Sequence, residues 1–81
     1  MDTAAIIEKY IVEEILMQSK TLDHDASLIE GGVLDSLSLL RLIGFVEQQF
    51  EVHIADTEVV PENFESIRII ADLVAGKKSS Q

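Results

Sequence analysis

The chain has 81 residues, 47% of them hydrophobic, with 15 acidic against 6 basic side chains and a formal net charge of −9. That is enough for one small domain with a core of its own. The charge balance excludes a nucleic-acid binder, which needs clustered Lys and Arg, and the absence of cysteine excludes a disulfide framework and a thiolate metal site.

Met1-Asp2-Thr3 leads into mixed charge rather than a signal peptide. No apolar run approaches the roughly 20 residues that span a bilayer. A cytoplasmic monomer with no membrane insertion is the expectation.

The first periodic segment runs from about Asp2 to Gln18. Ile7, Ile11 and Ile15 recur at helical spacing, with Val12 and Leu16 beside them. Asp2 or Thr3 can cap its start, and Lys20 suits its negative end. Glu8 interrupts the apolar arc. Thr21 to Leu34 has no sustained period and contains Asp23, Asp25, Ser27 and the pair Gly31-Gly32, which are loop signals. Leu28, Ile29 and Leu34 can pin this loop to a core. A loop this long in so small a domain is functional or disordered.

A second helix is expected from Ser36 to Phe50, capped by Asp35. Leu39, Leu42, Ile43, Val46 and Phe50 share one side, while Leu37, Leu40 and Arg41 fall away from it. Glu51 to Glu65 reads as a connector with one helical turn at Pro61-Glu62-Asn63-Phe64. The last helix is expected from Ser66 as N-cap to Ala75, with Ile67, Ile70, Leu73 and Val74 inward and Gly76 as the C′ residue. Residues 1–76 then form the domain and 77–81 a flexible tail. The fold class is all-α, a small three- to four-helix bundle with a long loop between the first two main helices.

The most informative segment is Gly31-Gly32-Val33-Leu34-Asp35-Ser36-Leu37. It puts Ser36 at a first helical position, where unpaired N–H groups and a positive field favour a phosphate. The same residues also serve as an ordinary helix start. Leu34-Asp35-Ser36-Leu37, after a glycine pair and before Leu39, Leu42 and Ile43, resembles the attachment motif of acyl and peptidyl carrier proteins. Phe50-Glu51-Val52-His53-Ile54 and Pro61-Glu62-Asn63-Phe64-Glu65-Ser66 extend the resemblance over most of the chain.

The resemblance implies a covalent 4′-phosphopantetheine arm on Ser36, taken from coenzyme A, whose thiol carries acyl or aminoacyl groups as thioesters. It makes Asp35 a motif residue that also serves the modifying transferase, and Leu37 an apolar contact for partner enzymes. Leu37, Leu40 and Arg41 are the candidate partner contacts. The implied partners are a phosphopantetheinyl transferase, an acyl- or aminoacyl-activating enzyme, and a downstream acyltransferase or synthase. Fatty-acid carriers usually place acidic residues through the first turns of this helix, whereas Ser38, Leu40 and Arg41 stand here. The chain is therefore more similar to discrete peptidyl, aminoacyl or D-alanyl carriers.

Three rivals rest on other residues. Catalysis by Ser36 would need a base, and the segment is not a G-x-S-x-G elbow. His24 and His53, the two histidines, read as exposed loop residues. A calcium loop starting at Asp23 would place Leu28 where glycine is needed and Leu34 where glutamate is needed. An acidic helical adaptor, with Ser36 unmodified and Leu37 and Leu40 as its dock, is the alternative function. No catalytic activity and no metal site are expected.

Overall fold

The computed structural model describes residues 2–17 and 21–79. The expectations for Gln18 and Lys20 lie outside these residues. Helix α1 spans Thr3–Tyr10 and begins where the Asp2 carboxylate accepts the Ala4 N–H at 3.3 Å. It continues into a π-helical turn over Ile11–Leu16, which closes when the Met17 N–H donates to the Val12 carbonyl. The wider turn is where the structure departs from the regular helix expected to about Gln18. Ile7 and Ile11 are fully buried.

The loop that follows has no helix, and it is pinned as the sequence suggests. Leu28 and Leu34 are buried. The Leu28 carbonyl accepts from the Val33 and Leu34 N–H groups at 2.9 and 3.0 Å. Burial of each such leucine contributes about 1.5–3 kcal/mol. Helix α2 spans Ser36–Phe50, capped by Asp35, and buries Leu42, Ile43, Val46 and Phe50; Leu39 is half-buried against the same core.

Two 3₁₀ turns follow, at Asp56–Glu58 and Pro61–Asn63. The second is the expected proline-led turn. The first carries no apolar period. Local bonds make it: the Glu58 carboxylate accepts the Ala55 N–H at 2.9 Å, and the Glu58 N–H donates to the Ala55 carbonyl at 2.8 Å.

Helix α3 spans Ile67–Ser79. Ser66 caps it, its hydroxyl accepting the Ile69 N–H at 3.2 Å. Ile67, Ile70 and Val74 are fully buried, and α3 packs against α1. The expected stop at Ala75–Gly76 is corrected, because the helix runs through Gly76 to Ser79. Two contacts hold the extra turn: Lys77 pairs with Glu58, and the Lys78 ammonium donates to the Phe50 carbonyl at 2.9 Å. These ties outweigh the glycine's weak helix propensity.

Among the described residues there is no strand, and no helix is long and apolar enough to cross a membrane.

Candidate functional site

The site begins with the glycine pair. A Cβ on Gly31 would sit 2.7 Å from the Ser27 carbonyl oxygen, and Gly32 has φ of +77°. The first position needs the close approach and the second the left-handed backbone that only glycine adopts without cost. The turn delivers Leu34 to the core and leaves Asp35 extended at the head of α2.

The Asp35 carboxylate accepts the Ser38 N–H at 2.8 Å, and the Asp35 carbonyl accepts the Leu39 N–H at 2.9 Å. The bond from the Ser38 backbone is the main cause holding the Asp35 carboxyl below its usual range. The cap is therefore ionised at neutral pH, where it complements the positive end of the helix. Ser36 is the first helical residue and is exposed. Its hydroxyl is committed to no hydrogen bond among the described residues.

Beside Ser36 lies a groove of about 260 Å³, bounded by Ile29, Leu34, Leu39, Val59, Val60 and Pro61. An accessible hydroxyl, a helix N-terminus and an apolar groove together fit a phosphodiester followed by a flexible arm.

Polar ties hold the loop that presents Ser36. The Glu8 carboxylate accepts the Leu22 N–H at 3.0 Å and lies 2.7 Å from the His24 Nε2. The Leu22 bond, and then the His24 bond, hold the Glu8 carboxyl below its usual value. The His24 carbonyl accepts the Arg68 N–H at 2.9 Å, and the Arg68 guanidinium grips the Asp25 carboxylate. The Ser27 hydroxyl donates to Glu65 at 2.7 Å and accepts the Glu30 N–H at 3.0 Å.

His24 is thus not the exposed loop histidine expected. It is drawn against α1 because the glutamate that interrupts the α1 stripe receives it. His53 is exposed as expected. Asp23 and Asp25, the first carboxylates of the rival calcium loop, have other work. Asp23 accepts the Asp25 N–H at 2.9 Å, and Asp25 holds Arg68.

On the outer face of α2, Leu37 and Leu40 are 70% and 64% exposed. Arg41 is also exposed, with a structural role that its place on the helical wheel does not reveal. Its Nη2 donates to the Glu14 carbonyl at 3.2 Å, and its own carbonyl accepts from the Tyr10 hydroxyl at 3.4 Å. Tyr10 stacks on Phe45 with ring centroids 4.1 Å apart, so α1 and α2 are clipped together along this edge. Sequence reasoning missed Glu8, Glu65 and Arg68 as supports of the site. The one available signal was the charge of Glu8 inside an apolar arc.

The sequence profile of the phosphopantetheine attachment site family matches residues 7–74. The acyl carrier protein of Helicobacter hepaticus is 28% identical over 75 residues, covering 93% of this chain and 92% of that one. The acyl carrier protein of Buchnera aphidicola is 29% identical over 68 residues, covering 84% and 85%. The solved structure of KstB-PCP in its apo form superposes with a TM-score of 0.80 at 37% identity, covering 96% of this chain and 88% of that one.

The chain belongs to the phosphopantetheine attachment family of carrier proteins. It is a non-catalytic carrier whose cofactor is a covalently attached 4′-phosphopantetheine, on which cargo is held as a thioester and presented to partner enzymes. The arm supplies the thiol that a chain without cysteine lacks.

Proposed function

We propose that Ser36 is the attachment residue and that the protein is a discrete carrier of acyl or aminoacyl groups, closer to peptidyl-type carriers than to the fatty-acid carrier. The observation that carries the first part is the uncommitted, exposed hydroxyl of Ser36 beside the ionised Asp35 cap. In loading, the Ser36 oxygen bonds to the phosphorus that bears the pantetheine of coenzyme A. The pyrophosphate P–O bond breaks, adenosine 3′,5′-bisphosphate leaves and the hydroxyl proton passes to a base of the transferase. Asp35 keeps the serine at the helix start and adds its charge beside the reacting oxygen. The groove from Ile29 to Pro61 receives the first part of the arm.

The second part is supported by the outer face of α2. No carboxylate stands between Ser36 and Val46, and two leucines project into solvent. The higher identity to KstB-PCP than to the two acyl carrier proteins points the same way. Leu37, Leu40 and Arg41 contact the phosphopantetheinyl transferase, the activating enzyme and the downstream acyltransferase or synthase. The protein works as a cytoplasmic monomer.

The test is incubation with a phosphopantetheinyl transferase, magnesium and coenzyme A, followed by fragmentation mass spectrometry. One arm on the peptide containing Ser36 is expected. An arm on Ser27, Ser38 or Ser66 would move the site. A loading screen of the arm-bearing protein against acyl- and aminoacyl-activating enzymes then identifies the cargo.

A further inference from the structure

The two walls of the groove beside Ser36 are built differently. One includes Leu34, Asp35 and Leu39, at the capped start of α2. The other is Val59, Val60 and Pro61, where the chain passes between two short 3₁₀ turns and belongs to no longer element. Val59 and Val60 are half-buried, so packing holds them less firmly than it holds Leu34.

Glu58 is the hub of this second wall. Its carbonyl accepts the Val60 N–H at 3.0 Å and the Asn63 Nδ2 at 2.8 Å. Its carboxylate accepts the Ala55 N–H at 2.9 Å and the Lys77 ammonium. Asp56, Glu58 and Glu62 crowd three carboxylates into this stretch of a chain of net charge −9, and Lys77 supplies the cation that offsets them. The Lys77 and Glu58 side chains are only 19% and 30% exposed, so water and salt screen the pair less than an open surface pair. Val74 is the last buried apolar residue of α3 among the described residues. The turn that carries Lys77 therefore serves the connector rather than the core.

We propose that Lys77 is a positioning residue for the arm: through Glu58 it sets the wall of Val59, Val60 and Pro61 on which the first part of the arm rests. This rests on the reading that Ser36 bears the arm and that the groove receives it. A wall held at a fixed distance from Ser36 limits the directions in which a tethered arm leaves, which lowers the ordering cost of seating it. Without the pair, Glu58 keeps Ala55 but loses its tie to α3, and the two valines are free to draw away from α2. Lys78 ties the same turn to a different place, the Phe50 carbonyl at 2.9 Å, and so supplies the control.

The test is the amide spectrum of the isotope-labelled full chain before and after loading by a phosphopantetheinyl transferase with coenzyme A, with circular dichroism in parallel. In the parent, loading moves the Val59 and Val60 resonances together with that of Leu39. In Lys77→Gln the movement of the two valines falls about twofold or more and Val60 amide exchange quickens about threefold, while the Leu39 movement and the helical signal stay. Lys77→Arg, which keeps the charge, restores the parent's pattern, and Lys78→Gln leaves it in place. Valine movement in Lys77→Gln equal to the parent's would overturn the proposal. Equal losses in Lys77→Gln and Lys78→Gln would assign the effect to the last turn as a whole and overturn it too. A parent whose loading at Ser36 moves neither Leu39 nor the valines would instead overturn the groove reading beneath it, and undiminished loading of Ser36→Ala the attachment reading.

Discussion

At the C-terminal end of α2, Val46 and Phe50 are buried, Glu47 accepts the Ile54 N–H at 2.9 Å, and Lys78 reaches the Phe50 carbonyl at 2.9 Å. At the N-terminal end Ser36 and Leu37 stand in solvent and Asp35 supplies the side-chain cap. One helix therefore has a closed end that builds the core and an open end that stays in solvent. The open end is held in place from behind, by Leu34 and Leu28 in the core and by the ties of the loop to Glu8, Glu65 and Arg68. Rigidity comes from residues distant in sequence, so the serine itself stays free.

The largest expected contrast is between neighbouring leucines. Leu42 is fully buried, and Leu42→Ala should cost about 2–5 kcal/mol in urea denaturation. Leu40→Ala should change stability by no more than about 0.5 kcal/mol and weaken a native partner by about 1–2 kcal/mol, read by titration calorimetry. Equal losses of stability would erase the distinction between closed and open faces.

Arg41→Glu sharpens the comparison at the open face. It replaces the guanidinium with the charge usual on fatty-acid carriers, and it removes the clip to Glu14. Turnover of the arm-bearing variant by a fatty-acid-synthesis acyltransferase should rise several-fold. Efficient turnover of the parent with no gain from the substitution would mark an ordinary fatty-acid carrier.

Glu8→Gln tests the support behind the open end. It weakens the hold on the loop by about 1 kcal/mol, so amide exchange should quicken across residues 22–30 while α2's buried end keeps its protection. The pH dependence follows from the same group. The Glu8, Asp25, Asp35 and Glu58 carboxyls all lie below their ordinary values in the folded protein, chiefly through hydrogen bonds from the Leu22 backbone, Arg68, the Ser38 backbone and Lys77 respectively. A lowered carboxyl stabilises the fold fully above its unfolded pKa, and that contribution is lost as pH falls through the folded value. Stability should therefore decline below about pH 4, less steeply in Glu8→Gln than in the parent. An acid limb of unchanged slope in the variant would show that Glu8 does not hold the loop.

The smallest expected effect is that of salt. With a net charge of −9, self-repulsion near neutrality is screened by moderate salt, and the melting temperature at pH 7 should rise by a few degrees. A flat or falling trend would make the ion pairs at Arg68 and Lys77 the dominant electrostatic contribution.

Much of this organisation is legible in the residues. α2 runs over the expected Ser36–Phe50 with the expected cap because apolar period, Asp35 and the glycine pair all agree there. Leu37 and Leu40 project because the helical wheel places them off the core stripe. What the periodicity does not reveal depends on contacts across long separations. The last turn of α3 persists beyond Gly76 because Glu58 and Phe50 receive its lysines. His24 folds inward because Glu8, sixteen positions away, accepts it. The π-helical turn at Ile11–Leu16 shares its apolar pattern with an ordinary helix, so no residue announces it.

The attachment of the arm is tested most directly by intact mass on the parent and on Ser36→Ala, each treated with transferase, magnesium and coenzyme A, alongside their circular dichroism. The parent should gain the mass of one phosphopantetheine. Ser36→Ala should gain none while keeping its helical signal, since the Ser36 side chain holds no part of the fold. A gain in Ser36→Ala equal to the parent's would contradict the account of this helix start.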